Sequence, residues 1–208
     1  DQMAVSRYRR FIIWIGYFPI EGRALSSWRV EVVRAMDQAV TLSQFGKEEV
    51  ALAVPEIDCQ VISPGVDLQV FRPLPQARRL RERAGLSDRF VVGCVARNHR
   101  RKQLPLLIEA FSEFHRLHRR SVLYLHADPY DYGWNLLEII EQFGVQDCTL
   151  LTEGLHSGRG VPDRELNELY NLFDVMVLPS MAEGFGLPIL ESMAAGTPVV
   201  ATGFSAPE

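Results

Sequence analysis

Short runs rich in β-branched and aromatic residues alternate along almost the whole chain with amphipathic stretches of helical length. This alternation is the mark of βα units, in which helices connect the strands of a mostly parallel sheet. Strands are expected at residues 11–16, 38–43, 59–63, 90–96, 121–126, 148–152, 174–178 and 198–202. Helices are expected at 26–35, 44–54, 76–84, 103–118, 133–143, 163–173 and 188–195. Gly144 and Gly196 stand where a helix C-terminus calls for positive φ, and Pro188 stands at a first helical position. The fold class is α/β. At 208 residues, against roughly 100–200 per domain, the chain makes one large domain or two compact halves. The alternation breaks at residues 64–75, where three prolines and the turn-like Gly65-Val66-Asp67 read as an ordered connector between two lobes.

Composition removes several classes of function. Hydrophobic residues at 47% and charged residues at 23% exclude a disordered chain. A net charge of −4 provides no global field toward nucleic acid or an anionic membrane. Any anion site must therefore be a local cluster. Cys59, Cys94 and Cys148 are odd in number and widely spaced among apolar neighbours, which argues against a disulfide framework or a zinc site and fits a reducing cytoplasm. The longest apolar run, at 11–20, is about half of a bilayer span and holds Gly16 and Pro19, so it reads as a strand. No initiator Met or signal-peptide pattern opens the chain, and no helix follows the last strand. The expectation is a fragment of a longer protein.

Ligands of open α/β sheets bind beyond the C-terminal ends of the strands. After 90–96 comes Arg97-Asn98-His99-Arg100-Arg101-Lys102, with four formal positive charges in six residues, followed by a helix. An anion site at a helix N-terminus and a solvated basic loop are equally compatible with it. The run Arg78-Arg79-Leu80-Arg81-Glu82-Arg83 reads instead as a solvated helix face. After 174–178 comes Pro179-Ser180-Met181-Ala182-Glu183-Gly184-Phe185-Gly186-Leu187-Pro188-Ile189-Leu190-Glu191. Two glycines and a proline between Glu183 and Glu191 exclude one regular helix. A glycine-rich loop then feeds a helix, its backbone N–H groups open to a ligand and both carboxylates available to sugar hydroxyls, with which charge-assisted hydrogen bonds are strong. The plainer alternative makes Glu183 a surface turn residue and Glu191 a partner of the helix dipole.

The segment 166–208, with Leu169-Tyr170, Asp174-Val175-Met176-Val177-Leu178-Pro179-Ser180, Glu183-Gly184-Phe185-Gly186-Leu187 and Glu191-Ser192-Met193-Ala194-Ala195-Gly196-Thr197-Pro198, strongly resembles the donor-binding lobe of group 1 retaining glycosyltransferases. Their E-x7-E motif maps onto Glu183 and Glu191. Val95-Ala96-Arg97 with Lys102 and Leu107-Ile108-Glu109-Ala110-Phe111 is similar to the family's phosphate-binding Arg and Lys, and Ile62-Ser63-Pro64-Gly65-Val66-Asp67 with Phe71-Arg72-Pro73 to its interlobe connector. Two places depart from the pattern: Gln103 replaces the usual Gly, and the tripeptide His126-Ala127-Asp128 stands where a Gly-x-Gly turn is common.

The resemblance implies the GT-B architecture of two Rossmann-like lobes with the active site between them. Residues 1–65 would be the C-terminal part of a truncated acceptor-side lobe, 66–89 the connector and first donor-lobe helix, and 90–208 a C-terminally truncated donor lobe. It implies transfer of a hexosyl group from a nucleotide-diphosphate sugar to a carbohydrate, lipid-linked or other hydroxyl acceptor, with the isolated fragment inactive. Arg97 and Lys102 would neutralise the diphosphate as charge builds on the leaving group. Glu183 would hold hydroxyls of the transferred sugar, Phe185, Gly186 and Leu187 would offer N–H groups, Glu191 would bind the ribose, and the loop near Leu155 would meet the base. Glu183, Arg97 and Lys102 are the catalytic set. Neither a metal nor another cofactor is implied, and no Asp-x-Asp motif stands at a strand end. The expected partners are a nucleotide sugar and the acceptor, with no nucleic acid. Peripheral association with the inner membrane surface fits a lipid-linked acceptor. A non-catalytic nucleotide-sugar-binding protein, or a sugar phosphorylase or epimerase on the same fold, are the alternatives.

Overall fold

A computed structural model describes residues 6–156 and 160–207 of the chain. Among them, eight strands and seven α-helices follow one another in the order that the sequence periodicity predicts. The chain divides into two compact units.

In the first unit, residues up to 65 form β1 (Ile15–Phe18), α1 (Ser27–Arg34), β2 (Gln38–Thr41), α2 (Gln44–Ala53) and β3 (Cys59–Val61). The three strands are parallel in the order β1-β2-β3, with Gly16 opposite Ala39 and Ala39 opposite Cys59. Ile20, Val33, Ala39, Val50, Val54 and Cys59 make its core. Helix α2 starts where it does because Ser43 Oγ accepts the Gly46 N–H at 3.1 Å, satisfying one of the donors a helix start leaves over. Residues 182–186 and 203–207 group with this unit, although the first segment lies between the second unit's last two strands in sequence and the other follows them.

Expected strand 11–16 lies differently. Residues Arg9–Phe11 form a 3-10 turn and the strand runs from Ile15 to Phe18. Phe11 and Ile13 are exposed at 69% and 83%, so their apolar character does not reflect burial in a sheet. Trp14 N–H is instead anchored by the Asp37 carboxylate at 2.7 Å.

The second unit contains α3 (Ala77–Arg83), β4 (Phe90–Val95), α4 (Leu104–Leu117), β5 (Ser121–His126), α5 (Leu136–Gln142), β6 (Thr149–Leu151), α6 (Asp163–Tyr170), β7 (Val175–Leu178), α7 (Leu187–Ala194) and β8 (Val199–Ala201). All five strands are parallel, in the order β6-β5-β4-β7-β8. The chain winds from β4 to one edge and returns to β7 on the other side, so the topological switch point lies between β4 and β7. Strand β4 is buried at five of six positions, as a central parallel strand covered on both faces must be. Val91, Leu104, Ile108, Leu123, Met176 and Leu178 lie at the heart of this larger core. Gly144 and Gly196 have φ of 64° and 83°, as their helix-end positions require.

Two stretches read from sequence take on definite roles here. Most of the connector belongs to this unit, where Phe71 is buried and Asn167 and Asn171 accept the Arg72 and Leu74 N–H groups through their side-chain oxygens at 3.1 and 2.8 Å. Arg81 departs from the solvated-face reading of its basic run. Its guanidinium donates to the Leu172 and Arg89 carbonyls at 2.6 Å each and to Asp174 at 3.0 Å, and Asp174 also accepts the Val91 N–H. The side chain is 18% exposed and ties α3 to the sheet. Arg78 remains on the solvent face, paired with Glu82.

Candidate functional site

Beyond the C-terminal ends of β4, β5 and β6 the second unit has a cleft of about 510 Å³, lined by Arg97, Arg101, Lys102, His126, Asp128 and Asp131, together with Leu155, His156 and Pro188. Strand geometry explains the convergence. Parallel strands deliver every following loop to the same edge, so residues far apart in sequence meet there. Arg97, Lys102 and Leu155, each singled out from sequence, line this one cleft.

Lys102 ends a 3-10 turn, Arg100–Lys102, and is 8% exposed, so it is no solvated loop lysine. The chain passes into α4 through Gln103, whose φ of 52° and ψ of 37° lie in the left-handed region. A glycine is the easy occupant of such a position, which accounts physically for Gln103 being the departure there.

Arg97 is paired on one edge. Its Nε and Nη2 donate to Asp131 Oδ2 and Oδ1 at 2.6 and 3.4 Å, and its guanidinium carbon stands 5.3 Å from the centre of the Tyr132 ring. The hydrogen bond from Arg97 holds the Asp131 carboxyl below the usual carboxylate range. Asp131 is a residue that sequence reasoning missed. It lies two residues before the expected helix 133–143, and α5 begins only at Leu136. Gly133 and Trp134 belong to a loop docked on Asn98, whose side chain accepts the Trp134 N–H and donates to the Trp134 carbonyl at 3.2 and 2.7 Å. The only trace in sequence was the unusual His126-Ala127-Asp128 start of that loop.

His126 is a second missed residue. It is 8% exposed, its Nδ1 lies 2.9 Å from Thr152 Oγ1, and burial pushes its pKa down to about 4. The imidazole is neutral at pH 7 and contributes no charge to the cleft.

Glu191, on α7, accepts a hydrogen bond from the Tyr170 hydroxyl at 2.7 Å. Burial raises its pKa, and the Tyr170 bond offsets this in part. Tyr170 is wholly buried, which pushes its phenol well up. Leu187 opens the same helix. Ser180, buried after β7, has a hydroxyl with no hydrogen-bond partner among the described residues.

Glu183, Phe185 and Gly186 lie in the segment that groups with the first unit. Glu183 is 6% exposed, which is incompatible with a surface turn residue. Its backbone is clamped at both polar atoms: the N–H donates to Ser205 Oγ at 2.9 Å and the carbonyl accepts from the same hydroxyl at 3.0 Å. Gly186 has φ of 89°.

Two Rossmann-like parallel units, one with Arg97, Arg101 and Lys102 lining a cleft at its strand ends, define the GT-B class, and solved structures bear this out. HepE from Anabaena in complex with UDP superposes with a TM-score of 0.78 at 22% identity, over 98% of this chain and 57% of that one. Sucrose-phosphate synthase from Thermosynechococcus elongatus gives 0.74 at 24%, over 92% and 50%. Residues 89–208 match the family described as "Glycosyl transferases group 1". The chain belongs to that family. It is 33% identical over 174 residues to the GDP-mannose-dependent alpha-(1-6)-phosphatidylinositol monomannoside mannosyltransferase of Mycolicibacterium smegmatis, covering 79% of this chain and 44% of the relative. It is also 33% identical over 150 residues to the D-inositol 3-phosphate glycosyltransferase of Kribbella flavida, covering 68% and 34%. The chain thus spans less than half the length of these curated relatives. No helix among the described residues is long and apolar enough to cross a membrane.

Proposed function

We propose that this chain is part of a retaining hexosyltransferase, the whole of which moves a hexosyl group from a nucleoside-diphosphate sugar to a hydroxyl acceptor. The observation that carries the reading is the convergence of Arg97, Arg101 and Lys102 on one cleft at the strand ends. A diphosphate supplies the charge such a cleft is built to receive, and stabilising that charge as the glycosidic bond breaks is the preorganised electrostatic work on which catalysis rests. Arg97 and Lys102 hold the diphosphate, the loop at Leu155 meets the base, and Glu191 accepts from the ribose hydroxyls. Glu183 accepts from hydroxyls of the transferred sugar, and the Phe185, Gly186 and Leu187 N–H groups approach the same ligand. Its clamped backbone supports this role for Glu183, because a carboxylate on a fixed main chain recognises hydroxyls at little ordering cost. Relatives named for GDP-mannose and a neighbour solved with UDP support the donor class. The reaction uses no metal and takes place in the cytoplasm, and a lipid-linked acceptor would bring the protein to the inner membrane surface. A chelator should leave the activity of the whole enzyme unchanged.

Calorimetry with UDP and GDP and with their hexosyl derivatives tests the assignment. Arg97→Ala or Lys102→Ala should weaken nucleoside diphosphate and intact donor alike, by amounts that shrink as salt rises. Glu183→Ala should leave the free diphosphate almost unaffected and weaken only the intact donor, by roughly 1.5–3 kcal/mol for one lost charge-assisted hydrogen bond. Equal losses for both ligands in the Glu183 variant would remove that residue from the sugar.

A further inference from the structure

The loop between β5 and α5 is built against the basic strand end more closely than a connection requires. The Asn98 side chain, fully buried, pairs with both backbone polar atoms of Trp134. At Gly133 an added Cβ would fall 2.2 Å from Asn98 Oδ1 and 2.9 Å from its backbone, so only glycine permits the approach. The Arg100 guanidinium stands 5.4 Å from the Trp134 ring centre. This docking fixes the position of Asp131, whose side chain is 2% exposed, whereas that of Arg97 is 57% exposed. An exposed arginine is thereby held by a carboxylate that cannot itself wander.

The pairing is side-on. It engages Nε and one Nη2 hydrogen of Arg97 and leaves the two Nη1 hydrogens outside the ion pair. A guanidinium carries five donors in a rigid fork, so one edge can be gripped while another meets a phosphate. We propose that Asp131 is a positioning residue, holding the Arg97 guanidinium in the orientation that receives the donor diphosphate. The proposal rests on the reading that Arg97 meets that diphosphate.

Two effects of Asp131 oppose each other, and their signs differ. As a negative charge next to an anion site it repels the ligand, so its removal should tighten binding. As an orienting partner it spares the ligand the cost of ordering a long side chain, so its removal should weaken binding. Neutralisation within the pair is mutual, so the geometry alone does not cancel the first effect; the proposal commits to orientation, and the sign measured for Asp131→Asn decides between the two. An ordering cost of one rotamer-rich side chain corresponds to about three- to tenfold in affinity.

The experiment is a double-mutant cycle read by calorimetry with UDP and GDP, using the wild type, Arg97→Ala, Asp131→Asn and the double variant. Asparagine keeps the size of the buried side chain, and circular dichroism and melting temperature report whether the fold is retained. The expected result is a three- to tenfold weaker diphosphate for Asp131→Asn, and no further loss when the same change is made in the Arg97→Ala background. Tighter or unchanged binding by Asp131→Asn overturns the proposal, as does an equal loss in both backgrounds, which would show Asp131 acting through the loop alone. If Arg97→Ala leaves diphosphate binding unchanged, the assignment of Arg97 itself fails, and this inference fails with it. Failure at Asp131 with a normal loss at Arg97 leaves the assignment of Arg97 standing.

Discussion

His126 is the residue whose chemistry depends most on where folding puts it. An imidazole in the unfolded chain has a pKa near 6.5, whereas burial brings it to about 4 in the folded protein. Between those values the unfolded chain binds more protons than the folded one, so stability rises with pH across that window. The stabilisation is present in full above about pH 6.5 and is lost as pH falls toward 4, by at most about 3 kcal/mol. His126→Asn keeps a hydrogen-bonding atom for Thr152 and cannot titrate. Urea unfolding at pH 7.5 and pH 5 should show a smaller acid loss for the variant than for the wild type, and equal losses would mean that another group governs the acid limb. The sequence showed the histidine at a strand end but not its burial, which comes from the strands and loops closed around it.

At the scale of elements, the β5–α5 loop illustrates how a local signal can be outbid. Gly133-Trp134-Asn135 precedes an apolar periodic stretch and reads as the start of a helix, yet Asn98, 35 positions upstream of Gly133, captures the backbone and delays α5 to Leu136. Gly133→Ala should therefore destabilise the protein by about 1–3 kcal/mol through overpacking and speed hydrogen exchange at the Trp134 amide. A midpoint of unfolding unchanged from wild type would count against this account of the docking. The first strand shows the converse. Residues 11–13 carry strand-like composition, but they lie before the register that pairs Ile15 with Gln38 and Phe18 with Thr41. Alternation can place a strand within a few residues; pairing partners decide where it begins.

For the whole molecule, the described residues hold two separate hydrophobic cores, one around Val50 and Ala39 and one around Leu123 and Met176. Leu123 is fully buried, and Leu123→Ala should cost about 2–5 kcal/mol. Hydrogen exchange should report lost protection across β4, β5 and β6 with β2 unchanged, because distant sites with no shared partners act independently. Equal loss in β2 would show the two cores melting as one. The sequence by itself determined the α/β class, the order of the strands and helices, and the basic cluster that follows β4. Those features depend on periodicity, on turn chemistry and on motif spacing, all of which are local. Only the tertiary structure decided that Arg81 turns inward onto the Leu172 and Arg89 carbonyls, that residues 182–186 and 203–207 join the first unit, and that Arg97 is gripped by Asp131. Each depends on groups brought together across long stretches of chain, and no local pattern encodes which of many polar partners a folded backbone will place within 3 Å.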